Sequence, residues 1–297
     1  MMAGVGGIGV RALTAWYDRS LDRRPLLDPT ARRQHSTVSG PLNFLVVGWD
    51  QGHPDVQPQA TSIMVLHVSA GLDRAHLVAL PGDLMVDLPR PADSGHPGGA
   101  DLLVAALDRA DGARSAQLLS AALTRLMGVQ FDGAAIVDLA AVHRLIDLIG
   151  GIELAGAADP PGGAGSVTMD GGHAVDYLRQ RRDERHRNHQ QVWRATAVRI
   201  AEIDLLGNPI KLDQVARAVG SALVVDTNVL GIDDLVGMLR KLRPEQVVGV
   251  QLPVRPLTAD AASPRVLHAE AEDLSGCLRR GDLARWTRQN PYWVNEL

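Results

Sequence analysis

The chain has 297 residues, 45% of them apolar, enough to bury a sizeable core in one large domain or two small ones. Thirty Lys and Arg against 34 Asp and Glu leave a net charge of −4, which argues against nucleic-acid binding through the overall field, and 3% aromatics argue against a stacking platform for single strands. The single cysteine, Cys277, excludes an intrachain disulfide and a Cys-based metal site.

The N-terminal stretch "MMAGVGGIGV" is small and uncharged up to Arg11. It is too short to cross a bilayer, which takes about 20 apolar residues, and no basic leader precedes it. Two readings stay open: a frayed terminus, or the outer end of a spanning helix, with Trp16 and Tyr17 where an interfacial belt falls. Residues 18–42 are polar and contain proline, and read as a linker or an ordered approach to the domain.

"NFLVVG" (43–48) is a buried-strand signature, and "TSIMVLHVS" (61–69) with "RAHLVAL" (74–80) form a hairpin signal. "DLLVAALDRA" and "ARSAQLLSAALTRLMG" show helical apolar spacing, the second closed by Gly128. "GAAIVDLAAVHRLIDLIGGIEL" reads as strand, helix, Gly-Gly stop and strand, and "GSVTMDGGHAVDYLRQR" as a short strand and a helix. A long helix follows from about 188 to 206, then helices over 211–223 and 231–242 and a strand in "EQVVGVQLP". The tail 264–297 reads as one strand, one helix and an irregular end. Interleaved helices and strands predict an α/β fold, a three-layer helix–sheet–helix sandwich. The hairpin makes its central sheet mixed. The expected organisation is an N-terminal segment over 1–42 and a single domain with a short C-terminal extension over 43–297.

Ligands of open α/β sheets sit outside the carboxyl ends of the strands. Asp50 and Asp83 fall on loops there, where each is either a turn or cap residue or part of a site. "YLRQRRDERHRNHQQ" (177–191) adds five arginines and two histidines. Arg179, Arg181 and Arg182 at a helix end suit either a solvated face or a phosphate site, since a guanidinium fork matches phosphate oxygens in two-point contact. Beside two carboxylates they suit a pyrophosphate held with a divalent ion. His186 and His189 share a helix face without the further ligands that zinc needs, which favours a surface or anion-contacting role. The Gly-rich stretches have neither Walker nor Rossmann spacing, and no Gly-x-Ser-x-Gly elbow occurs.

In their order, "NFLVVGWD", "TSIMVLHVS", "AHLVALPGDLMVDLP", "GVQFDGAAIVDLAAVHRLIDLIGGIEL", "DGGHAVDYLRQR", "DERHRNHQQ", "LLGNPIKLDQVARAVGSALVVDTNVLGIDDL" and "VVGVQLP" resemble the LytR–CpsA–Psr proteins of bacterial cell envelopes, over residues 43–254. The resemblance implies a membrane-anchored, extracytoplasmic domain that moves a glycopolymer from a polyprenyl-pyrophosphate carrier to peptidoglycan, with Mg2+ on the pyrophosphate. The partners it implies are the lipid-linked glycan, peptidoglycan and the membrane. It gives Asp83, Arg179 and Arg181 catalytic roles, and Asp50, Asp183, His186, His189, Gln190 and Gln191 substrate-binding roles. Asp50 and Asp83 would hold the metal.

The departures are as specific. An acidic residue followed closely by arginine is usual after the first strand, but "QG" follows Asp50. The family's R-S-D-T is "QATS", so Gln59 and Thr61 replace an arginine and an aspartate. P-R-D is "PGD", with Gly82 for the arginine, and two later arginines are His186 and His189. To replace them the histidines must be protonated, which an adjacent phosphate favours. Two functions follow: an active phosphotransferase, or a catalytically impaired relative that binds lipid and glycan as a scaffold in wall assembly.

Overall fold

The computed structural model describes residues 22–34, 40–51, 59–90, 98–107, 112–155, 165–179, 185–205, 208–260, 263–295 and 297. It opens with β1 (Asp22–Arg23), after which Leu26, Leu27 and Ala31 are fully buried. The Asp226 carboxylate fastens this segment, accepting from the backbone N–H groups of Leu26 and Leu27 at 2.8 and 3.0 Å and from Arg32 Nη2 at 2.8 Å. Residues 22–34 are thus packed onto the domain, whereas the possible anchor before them lies outside the described residues.

The apolar run after Pro41 makes β2 (Leu42–Asp50), and the expected hairpin is β3 (Gln59–Val68) and β4 (Ala75–Leu80), all antiparallel in sequence order. A β-bulge interrupts the first pair: Gly48 faces Ser62 and Trp49 faces Ala60, leaving Thr61 as the extra residue. A separate hairpin of β5 (Met85–Leu88) and β6 (Gly99–Leu102) follows. Here one expectation fails. "DLLVAALDRA" ends β6 and then forms a 3-10 turn over 103–107. Backbone bonds from Leu103 to Leu84 and from Val104 to Gly82 tie it to the β5 segment, and that tertiary pairing prevails over the helical spacing.

Next come α1 (Gly112–Met127), β7 (Gly133–Asp138) and α2 (Leu139–Leu148). Asp138 ends the strand and caps the helix, its Oδ1 accepting from Ala140 N at 2.8 Å. Gly150 and Gly151, at φ 82° and 89°, turn the chain into β8 (Ile152–Ala155), paired with β9 (Ser166–Met169). Then follow α3 (Gly171–Arg179), α4 (Arg185–Glu202), α5 (Pro209–Val219), β10 (Leu223–Asp226), α6 (Ile232–Lys241) and β11 (Val247–Gln251). The tail departs from expectation. After β12 (Val254–Pro256) it holds β13 (Arg265–Leu267), two helices, α7 (Glu270–Arg280) and α8 (Leu283–Gln289), and the short β14 (Val294–Asn295). Gly281, in the left-handed region at φ 78°, separates the two helices.

The main sheet has the order β1-β10-β7-β2-β3-β4-β11-β14 and is mixed, with β2 parallel to β7 and β4 parallel to β11. Alternate residues face opposite layers. Leu45, Val47, Ile63, Val65, Val78 and Leu80 pack on one side with α1, α7 and α8. On the other side Val46 and Val137 meet α2 and α5, and Ala75 and Leu77 meet Trp193 of α4. The fold is the expected three-layer α/β sandwich with a mixed central sheet.

Candidate functional site

The carboxyl ends of β2, β7 and β4 lie along one edge of the sheet, and the polar residues of interest gather there. Asp50 closes β2 and Arg179 closes α3. The guanidinium forks onto the carboxylate: Nε donates to Oδ2 at 2.9 Å and Nη2 to Oδ1 at 3.0 Å. The Asp50 side chain is 10% exposed and that of Arg179 is 37% exposed, so the pair reaches solvent through the arginine. The hydrogen bond to Asp50 holds Arg179 protonated above the usual guanidinium range against its partial burial, aided by the charges of Asp50, Asp176 and Asp138.

An apolar cavity of about 160 Å3 lies beneath this pair, between the sheet and α2 to α5. Leu178, beside Arg179, and Gly48, two residues before Asp50, both line it, as do Val142, Leu145, Trp193 and His189. The bulge turns two hydroxyls toward the same place: a Cβ on Gly48 would stand 2.5 Å from Ser62 Oγ and 2.8 Å from Thr61 Oγ1. Only glycine therefore lets both hydroxyls pack this closely against β2. Both hydroxyls are buried, and neither has a hydrogen-bond partner among the described residues. Across α4 lies a second, polar groove of about 450 Å3, lined by Glu153, Thr168, Gln191, Arg194, Arg199 and Glu202, among others.

The remaining expected residues have distinct surroundings. Asp83 follows β4 at the same edge, and its Oδ2 accepts from Arg265 Nε of β13 at 3.2 Å, both groups being exposed. Gly82, where the resemblance has an arginine, sits against Val104, whose Cβ would lie 3.2 Å from an added Cβ. Gln190 is fully buried and its carboxamide is engaged within the protein. Nε2 donates to Leu77 O at 2.7 Å and Val250 O at 2.9 Å, and Oε1 accepts from Asn295 Nδ2 at 2.6 Å. It thereby seats α4 on β4 and β11. Gln191 Oε1 accepts from Tyr177 OH at 2.8 Å, and Asn188 Nδ2 donates to Tyr177 O at 3.1 Å, so α3 and α4 are bound together. His189 is 2% exposed on the cavity wall, where a cation requires an anion beside it. His186 is half-buried at the start of α4. Arg181, Arg182 and Asp183 lie outside the described residues.

Sequence reasoning missed Asp138, although it ends β7 by the same strand-end rule that selects Asp50. It also missed Arg265, which no local pattern marks, and the paired hydroxyls of Thr61 and Ser62, which only the bulge brings together.

The donor set does not fit the expected divalent ion. Both oxygens of Asp50 already accept from a cation, and Asp83 is paired with Arg265. Thr61 stands at the acidic position of the motif, and among the described residues no three His, Cys, Asp or Glu side chains are placed to hold a metal.

A family model, that of the LytR_cpsA_psr family, matches residues 18–280. No curated protein matches the chain. Solved structures share the fold. Protein gbs0355 from Streptococcus agalactiae superposes with a TM-score of 0.65 at 18% identity, over 81% of this chain and 87% of that one. A LytR-Csp2A-Psr enzyme from Actinomyces oris gives 0.58 at 19% identity, over 84% and 96%. TagT bound to LI-WTA gives 0.60 at 16% identity, over 83% and 94%.

Proposed function

We propose that this chain, which belongs to the LytR–CpsA–Psr family, binds a polyprenyl-pyrophosphate-linked glycopolymer in the cell envelope and passes the glycan to peptidoglycan. The observation that carries this reading is the apolar cavity whose lining residues Gly48 and Leu178 adjoin the Asp50–Arg179 pair. Such a site suits an amphiphile with a hydrocarbon tail and an anionic head. The polar groove across α4, with acids, arginines and a hydroxyl in its walls, suits the sugar portion. In the transfer, an acceptor hydroxyl attacks the sugar-bearing phosphorus, and the bond from that phosphorus to the bridging oxygen breaks. The carrier leaves as its monophosphate with the bridging oxygen, and the hydroxyl's proton passes to it or to solvent. Arg179 is the described cation placed to neutralise the charge on the phosphates. The reading places the domain on the outer face of the membrane, held by a segment preceding residue 22. Among the described residues no helix is long and apolar enough to cross a membrane.

A second reading, a lipid- and glycan-binding scaffold, is favoured by Gln59, Thr61 and Gly82 standing where the resemblance has charged groups. One assay separates the two. The full chain is incubated with a short synthetic lipid-linked glycan and a peptidoglycan oligomer, and release of carrier phosphate is followed with Arg179→Ala as control. Release that depends on Arg179 supports transfer. Lipid retention without release supports the scaffold, and neither retention nor release rejects both.

A further inference from the structure

Thr61 and Ser62 are polar groups that the fold buries and leaves without a partner among the described residues, at 8% and 4% exposure. A buried hydroxyl lacking a hydrogen bond forfeits its hydration without replacement, so two of them side by side call for an acceptor. The bulge at Thr61 packs both against Gly48, and Gly48 lines the cavity in which the lipid reading puts the hydrocarbon tail. Two residues further along β2, Asp50 holds the guanidinium of Arg179. Thr61 and Ser62 lie behind Gly48 rather than in the cavity wall, and with the Asp50-paired Arg179 they form a donor set for phosphate oxygens at the edge of the cavity.

An aspartate at position 61 would be acceptor-only and would repel a phosphate oxygen unless a cation lay between them. A threonine hydroxyl donates directly and needs no bridge. Hydroxyls can also ligate Mg2+, but alongside a carboxylate, and here the carboxylate at this edge of β2 is already forked by Arg179, whose charge stands where the ion would bind. We propose that Thr61 and Ser62, together with Arg179, hold the phosphate end of the lipid directly, so that this chain binds a polyprenyl pyrophosphate without a divalent ion. The inference rests on the lipid-pyrophosphate reading.

The test is binding of geranylgeranyl pyrophosphate to the full chain by titration calorimetry, in Mg2+ and in EDTA. The expected affinities agree within about twofold. Thr61→Val with Ser62→Ala weakens binding at least about tenfold in both buffers, as expected for losing hydrogen bonds to a charged group, while geranylgeraniol, which lacks the phosphates, binds unchanged. Thr61→Asp loses the pyrophosphate in EDTA and regains it in Mg2+. A tenfold fall for the parent protein in EDTA overturns the inference and leaves the lipid reading standing. So does parental affinity in the double variant. A folded protein that binds geranylgeranyl pyrophosphate in neither buffer overturns both.

Discussion

Replacing Arg179 by alanine removes two charge-assisted hydrogen bonds, at 2.9 and 3.0 Å, from the Asp50 carboxylate. That side chain is only 10% exposed, with Asp138 on the neighbouring strand. Breaking a buried ion pair by removing one partner costs about 3–5 kcal/mol. The Arg179 side is open to solvent at 37% exposure, so water entering the gap reduces the loss to about 2–3 kcal/mol. For a domain of this size each kcal/mol shifts Tm by about 2–4 °C, so Arg179→Ala should melt on the order of 5–10 °C lower.

Asp50→Asn should cost less, about 1 kcal/mol, because the arginine left behind can hydrate. The double variant separates pairing from mere truncation. Asp50→Asn in the Arg179→Ala background recovers about 1.5 kcal/mol, because it removes the carboxylate that lost its arginine. Urea unfolding at pH 7 followed by circular dichroism measures all four proteins. Additivity within about 0.5 kcal/mol, or an Arg179→Ala protein as stable as the parent, would refute the fork between β2 and α3. The geometric argument against a metal at Asp50 would fall with it.

Two further outcomes follow from the buried polar groups. His67 and His76 are adjacent on β3 and β4, and burial pushes their pKa values down to about 3 and about 4. Below the unfolded value of 6.5 only the unfolded chain takes up these protons, so their contribution to stability is full above 6.5 and is lost as pH falls toward 4. At pH 5 the loss is about 2 kcal/mol for each histidine, read as a fall in urea midpoint from pH 7, and a His76→Asn protein with the parental pH slope would contradict it. Gln190→Leu gives up the contacts to Leu77, Val250 and Asn295 and should cost about 2–4 kcal/mol, with lipid binding weakened only as far as α4 shifts. A stable Gln190→Leu protein with intact fold and abolished binding would instead make Gln190 a direct ligand.

Most of the layered fold was legible because its signals are local. Short apolar, β-rich runs marked β2 to β4, and Gly150 and Gly151 marked the end of α2. The failures lie where tertiary contacts decide. The 103–107 turn has the apolar spacing of a helix but is tied to Leu84 and Gly82, partners some twenty residues earlier in the chain that no local window includes. The tail was read as one helix because Gly281 is a single residue between two amphipathic stretches, and only its left-handed φ shows that the chain turns there.

The site was legible in part, for a reason that concerns roles more than positions. Strand ends selected Asp50, and a helix end selected Arg179, and the fold brings them into contact across 129 residues of chain. What a side chain does there depends on its partner. Gln190 lies in a polar run and reads as a ligand, yet its amide is consumed by the backbone of β4 and β11 at the point where Gly249 allows close approach: a Cβ there would stand 2.7 Å from Gln190 Oε1. Thr61 and Ser62 look like ordinary strand residues, and alternation would put them on opposite faces of the sheet. The bulge cancels that alternation at one position and turns both hydroxyls toward Gly48. A site described by its charged residues alone would show missing arginines and nothing in their place; described by its donors, it has two buried hydroxyls packed against Gly48, which lines an apolar cavity.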